Sequence, residues 1–427
     1  YASNPSYTNV PDDNFEQALI DLGYDDTLDD YVLTENISSV TSLVVNEKEI
    51  SDLTGIEDFT SLENFHCADN PLTSLNIDNN TNLSYLNFSR NDLTSIDLTD
   101  NVLLTNLYCE KNQLNSLDVS NNSSLIVLEC NDNQLTTLDL SNNTELTYLK
   151  CYVNQLTSLD VSANTTLTRL DCYSNQLTSL DVSNNTALDY LNCYNNQLTS
   201  LDVSSNTILT KLYCESNSLT TLDLSANVNL TWLSCHANQL TSLDVSANTA
   251  LSLLNCNSNQ LTSLDVSNNT ALSWLSCQTN QLISLDVSNN TALSYLECGT
   301  NQLTSLDLSA NDAENFALDC RNQQLSSINF PPNLYSVEAH GNPLGSLDMS
   351  SFTSLYNLGC NSCELTYLNI KNGNQLNLLQ VTSNDDLTCI ETLDPEWATA
   401  NYTSIPEGTV FDVICGAETR THWYVAT

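Results

Sequence analysis

A 21-residue phrase governs this chain of 427 residues. Residues 261–281 read LTSLDVSNNTALSWLSCQTNQ, and residues 282–302 read LISLDVSNNTALSYLECGTNQ. The phrase recurs from about Leu72 to Gln302 without slipping register. A short fixed period overrides the two or three domains that the length alone would suggest. It marks a solenoid, in which each copy touches only its neighbours.

The letters within one copy say how it coils. In WLSCQTN, Leu275 and Cys277 are two apart and share one face of a strand, while Trp274, Ser276 and Gln278 share the other. Asn280 follows where the strand must turn. In LTSLDVSNN, Leu264 and Val266 face inward and Ser263, Asp265 and Ser267 outward. One copy cannot bury its apolar face, so stacked copies must bury one another, with Leu261, Leu264, Leu272 and Leu275 in columns.

The pattern L-x-x-L-x-(L/C)-x-x-(N/C)-x-L over residues 40–388 resembles the leucine-rich repeat, in about 16–17 coils. SLDVSNNTALxxLxCxxNQL is similar to repeats of secreted and surface proteins of the Bacteroidetes, and Val40–Leu62 resembles the internalin-like form. The resemblance implies a leucine-rich repeat solenoid. Its curved parallel β array would carry the LxxLxCxxN strands on the concave side and short β or turn segments on the convex side. It also implies a secreted or cell-surface bacterial protein.

A solenoid needs caps at its ends. Residues 1–39 are expected to form the N-terminal one, with a short helix in DDNFEQALIDLGY that buries Phe15, Ala18, Leu19 and Leu22. Arg321–Pro343 is irregular, and residues 389–427 resemble the non-repeat cap of such arrays. Cys389 and Cys415 lie outside the repeats and are expected to be bonded to each other, which places the protein outside the reducing cytosol. No sorting domain follows within the sequence, so surface attachment is not expected from it.

Three columns run through the copies. The asparagine column (Asn112, Asn133, Asn154, Asn175 and onward) is expected to satisfy turn backbone of its own coil and the next. Strands about 4.8 Å apart hold in-register cysteines, Cys109 to Cys320, badly for disulfides, so small buried thiols are expected there. The aspartates (Asp97 to Asp307) would repel by roughly 0.8 kcal/mol per adjacent pair in water. Hydrogen bonds within SLDVSNNT could offset this. So could weak calcium bridges at Asp160, Asp181, Asp202, Asp223, Asp244 and Asp265, although calcium wants six to eight oxygens. No other cofactor is expected. The NNT and NNS triplets match glycosylation acceptors, but they recur because the turn recurs.

Variation among copies points to function. The SLDVSNNT phrase hardly changes, whereas the outward strand positions change in nearly every coil. Six of nine basic residues, two of four tryptophans and nine of eighteen tyrosines stand there. Such residues are those enriched at binding hot spots. The candidate ligand face is Tyr148, Lys150, Tyr152, Arg169, Tyr173, Tyr190, Tyr194, Lys211, Tyr213, Trp232, His236, Trp274 and Tyr295. The opposing reading is that aromatics simply suit β surfaces.

The expected function is non-catalytic recognition or adhesion, with a protein or a polysaccharide as ligand. Parallel rings along a groove would suit sugar faces, and Lys and Arg acidic polysaccharides. The alternative is a structural surface whose Asp-rich convex side binds calcium or ice. The net charge of −43 excludes nucleic acid and anionic membrane as partners. The apolar runs are too short for a membrane span. The four histidines (His66, His236, His340, His422) are scattered, so no catalytic constellation is expected. A monomer is expected.

Overall fold

The computed structural model describes residues 6–416, in two compact units, Tyr1–Asn227 and Val228–Thr427. Each is a parallel β solenoid of leucine-rich coils.

In the first unit, Asp12 caps a helix over Asp13–Asp21, its Oδ1 accepting the N–H of Asn14 and Phe15 at 3.0 Å. The other oxygen accepts Ser51 N–H at 2.9 Å and Asp52 N–H at 3.0 Å, tying the cap to the first coil. Phe15, Ala18 and Leu19 are buried, with the Phe15 ring 6.4 Å from Phe59. Leu22 departs from expectation. It sits at the C-cap, past the last turn, and is 46% exposed. Tyr7–Asn9 pairs antiparallel with Tyr31–Leu33 beside the helix, which the sequence reading missed. Nine strands, from Ser42–Val44 to Lys211–Tyr213, then pair parallel, each with the next.

In the second unit, eight strands from Trp232–Ser234 to Leu378–Gln380 pair in the same way. The segment that looked irregular keeps this order. Leu334–Glu338 pairs with Phe316–Asp319 across one register shift at Phe316/Ala317. On the turn side, Ser346–Asp348, Tyr367–Asn369, Cys389–Glu391 and Val410–Asp412 form a second sheet, flanked by a helix over Pro395–Asn401. Cys389 and Cys415 are bonded, their Cα atoms 5.8 Å apart. A bond between Cys360 and Cys363 was not anticipated. Among the described residues no helix is long and apolar enough to cross a membrane.

The core repeats coil by coil. Leu272, Leu275, Leu261 and Cys277 are fully buried, and Leu264 is 7% exposed. Cys67 joins the thiol column and Phe88 fills one of its places. Burial disfavours the thiolate and pushes the Cys130 thiol up to about 12.

The asparagine amides join coil to coil. Asn154 Nδ2 donates to the carbonyls of Cys151 and Cys130, both at 3.1 Å, and its Oδ1 accepts Leu135 N–H at 2.9 Å. Its partner is thus the preceding coil, not the next. A second buried column runs through the SNN turn. Asn143 is fully buried and donates to Val119 O at 3.0 Å and Asn122 O at 2.9 Å. The glycosylation-type Asn142 beside it is exposed and donates to Ser120 O at 3.0 Å.

Asn154→Ala would leave the buried Leu135 N–H without a partner and take one of two amide donors from the Cys130 and Cys151 carbonyls, which Asn133 and Asn175 still serve. A cost of about 1–3 kcal/mol is expected, against little for Asn142→Ala on the surface. Denaturant unfolding of the two variants checks this.

Candidate ligand-binding face

A three-residue strand turns its first and third side chains outward and its second into the core. In the first unit this gives the outward column Tyr148, Arg169, Tyr190 and Lys211 on successive strands. The Arg169 guanidinium lies between two rings, its carbon 3.9 Å from the Tyr190 centroid and 5.4 Å from that of Tyr148. Its Nε donates to Asp171 Oδ2 at 2.7 Å. Burial is the largest single influence and works against the charge, but that hydrogen bond and the Asp171 charge together outweigh it and raise the Arg169 pKa. Lys150 reaches Glu129 at 3.1 Å and lies 5.2 Å from the Tyr148 ring. Here too burial opposes the charge, and hydrogen bonds to Tyr148 and Glu129 prevail, holding the ammonium above its usual range.

The next column over is a tyrosine stack. Tyr152 and Tyr173 centroids are 4.2 Å apart at 8°, and Tyr173 and Tyr194 4.4 Å apart at 11°. Tyr213 lies 5.5 Å from Tyr190, and Lys211 is exposed. Burial first, then Asp171, pushes the Tyr190 phenol up to about 12.

In the second unit Trp232, Leu253, Trp274 and Tyr295 stand on successive strands, so Leu253 separates the two indoles. Trp274 is 42% exposed and stacks on Tyr295 at 4.0 Å. His236 Nδ1 lies 3.1 Å from Ser234 Oγ and 3.2 Å from Asn255 Nδ2, and burial lowers its pKa.

The sequence reading counted rings and cations and missed the acids between them. Glu129, Asp171, Asp319 and Asp69 lie 3.1, 2.7, 2.6 and 3.8 Å from Lys150, Arg169, Arg321 and Arg90. They were visible as members of the same variable columns.

The turn-side aspartates have a local task. Asp160, Asp181, Asp202, Asp223, Asp244 and Asp265 each accept the backbone N–H of the serine two residues on, at 2.9 Å. The Ser162 hydroxyl first, then that N–H, lowers the Asp160 pKa. Among the described residues no group of three or more His, Cys, Asp or Glu side chains could hold a metal ion. His66, His236 and His340 stand on separate coils, and His422 lies outside the described residues.

Among solved structures, the chain is similar to the functional domain of InlJ from Listeria monocytogenes, which includes a cysteine ladder. Identity is 35% and the TM-score 0.77, over 90% of this chain and 83% of that one. It is similar to the internalin InlF of the same organism at 26% identity and TM-score 0.67, over 75% and 96%. A leucine-rich repeat protein of Leptospira interrogans, at 23% identity, TM-score 0.69 and coverage of 77% and 92%, shares the fold. No family model and no curated protein matches the sequence.

Asp171 is 2% exposed and its cation is Arg169. Arg169→Ala is expected to lower the unfolding midpoint, and adding Asp171→Ala to recover part of the loss. A double-mutant cycle should report a coupling of about 1 kcal/mol or more.

Proposed function

The chain belongs to the internalin-like leucine-rich repeat proteins, and on that premise we propose that it is a non-catalytic extracellular recognition protein whose strand face binds a protein ligand. Leucine-rich repeat folds are typically recognition scaffolds rather than catalysts. One observation carries the choice of ligand: the rings of the face are already stacked on one another. In Tyr152–Tyr173–Tyr194 the middle ring is covered on both faces. Sugars bind aromatic side chains through open ring faces, whereas this stack presents edges and hydroxyls. Lys150, Arg169 and Arg321 are each paired with an acid as well, which weakens the attraction for an acidic polysaccharide. Half-buried rings with charged hydrogen-bonding groups among them are the make-up of a protein-binding hot spot. The paired Cys389 and Cys415 favour an oxidising location, secreted or on a bacterial surface.

The test is a screen of the full chain against cell-surface proteins and a glycan array in parallel. A protein ligand is expected, with affinity lost at least about tenfold, the equivalent of one hot-spot contact. The loss is expected both in Trp232→Ala/Trp274→Ala and in Tyr152→Ser/Tyr173→Ser/Tyr194→Ser. Ligands that bind both variants unchanged would remove the strand face from the account. Glycan hits alone would replace the protein partner by a carbohydrate.

A further inference from the structure

The first unit displays how this scaffold holds a guanidinium. Arg169 lies against Tyr148, the outward residue of the preceding strand, and is paired with Asp171 two residues on. The second unit repeats the Tyr148 and Asp171 part of that setting without the arginine, with Ser336 where Tyr190 stands and with Asp319 paired instead to Arg321. Tyr295 stands where Tyr148 does, Asp319 where Asp171 does, and Ala317 occupies the arginine's place, in register with Tyr295. One face of the Tyr295 ring is stacked on Trp274. Among the described residues no ring or cation covers the other face. The next outward residue beyond Ala317 is Ser336, also small, so the gap is two strands wide.

The charge of this gap is negative. Glu297, Asp319 and Glu338 stand directly beside one another on three adjacent strands. Like charges in such register destabilise a sheet unless something neutralises them. Arg321 is the one permanent cation among them, its Nη2 2.6 Å from Asp319 Oδ2. His340 Nδ1 accepts the Asn361 N–H at 2.8 Å, leaving Nε2 to donate to Glu338 at 2.7 Å. Among the described residues no cation lies within ion-pair distance of Glu297, and Arg321, engaged by Asp319, acts on it only from further off. Glu297 accepts only the Ser276 hydroxyl and, at 3.4 Å, Asn257 Nδ2. The Glu338 carboxylate and the His340 ring close the far end, lying over Gly359. A Cβ there would collide with the Glu338 carboxylate and come within 2.8 Å of the His340 ring.

We propose that the gap over Ala317 is a binding slot for a guanidinium, filled by an arginine side chain on the surface of the protein partner. The side chain lies flat on the open face of Tyr295 and is held by Glu297, since Arg321 already engages both oxygens of Asp319. This rests on the recognition reading above and adds the chemistry of one contact. A guanidinium fits better than an ammonium because it stacks on a ring and bonds a carboxylate in one plane.

The probe is N-acetyl-arginine amide, titrated against the full chain by saturation-transfer NMR, with the neutral isostere N-acetyl-citrulline amide as control. Arginine-selective binding is expected. Tyr295→Leu and Glu297→Gln should each weaken it about fivefold, the size of one cation–π or charge-assisted contact. Ala317→Arg should fill the slot from within, abolishing probe binding without lowering the unfolding midpoint. Equal binding of the citrulline control, or arginine binding that survives Ala317→Arg, would overturn the slot. If the slot fails while the aromatic variants still lose their protein ligand, the recognition reading stands alone. If the probe behaves as expected and no ligand depends on the strand face, the recognition reading fails instead.

Discussion

The buried asparagine amide is the interaction on which the coils depend. At the end of each strand the chain turns while still inside the core, and carbonyls there would be left without donors. An unpaired buried backbone group costs about 1–3 kcal/mol. Asn154 serves carbonyls of two coils and an N–H of one. Asn143 does similar work at the opposite turn. Both amides need the neighbouring coil in one register, which holds the 21-residue repeat wherever both columns run unbroken. The turn also fixes the backbone. The residue before each strand-end asparagine is left-handed, even where it is β-branched, as at Val153 (φ 51°) and Thr279 (φ 54°). That conformation costs roughly 1–2 kcal/mol for such residues. It aims the N–H of Val153 at Tyr173 O, 3.0 Å away on the next coil. The amide network thus offsets local strain with bonds between coils.

Once the turns and core hold the register, the outward strand positions are released from the fold. This explains the contrast between the two sides. On the turn side every aspartate is committed to its own serine, so the same letters return in each copy. On the strand side neighbouring residues answer to one another instead. An arginine comes with an acid two residues on, and a tyrosine with a tyrosine one coil away. Each unit arrives at a different surface by these means. The first carries a sandwiched guanidinium and a tyrosine stack, the second an indole beside a row of carboxylates.

The period, the alternation of Leu275 and Cys277 against Trp274, and the capping helix could be read from letter spacing, because spacing alone decides which residues share a face. What escaped the reading depends on contacts between coils. Asn143 looked like part of a surface turn and a glycosylation triplet, and only stacking shows that it is fully buried. Leu22 has helical spacing, but the helix ends one residue earlier. Cys363 stands where other coils have the strand-end asparagine, and only the structure shows it bonded to Cys360 in the same coil. The binding face was found through its aromatics and cations. Its acids escaped because a total of 52 acidic residues hides those with specific partners.

The central claim is that the coil framework and the outward face are separable, and amide hydrogen exchange tests it most directly. The amides to follow are Leu135, Leu156 and Leu177 N–H, which the ladder asparagines accept. They would be compared in the unmodified chain and in one with Tyr152, Tyr173 and Tyr194 replaced by serine. The account predicts that all three stay protected, with loss confined to a modest fall in overall stability. Rapid exchange at these amides in the serine variant would contradict it, since the aromatic face would then be part of what holds the coils together.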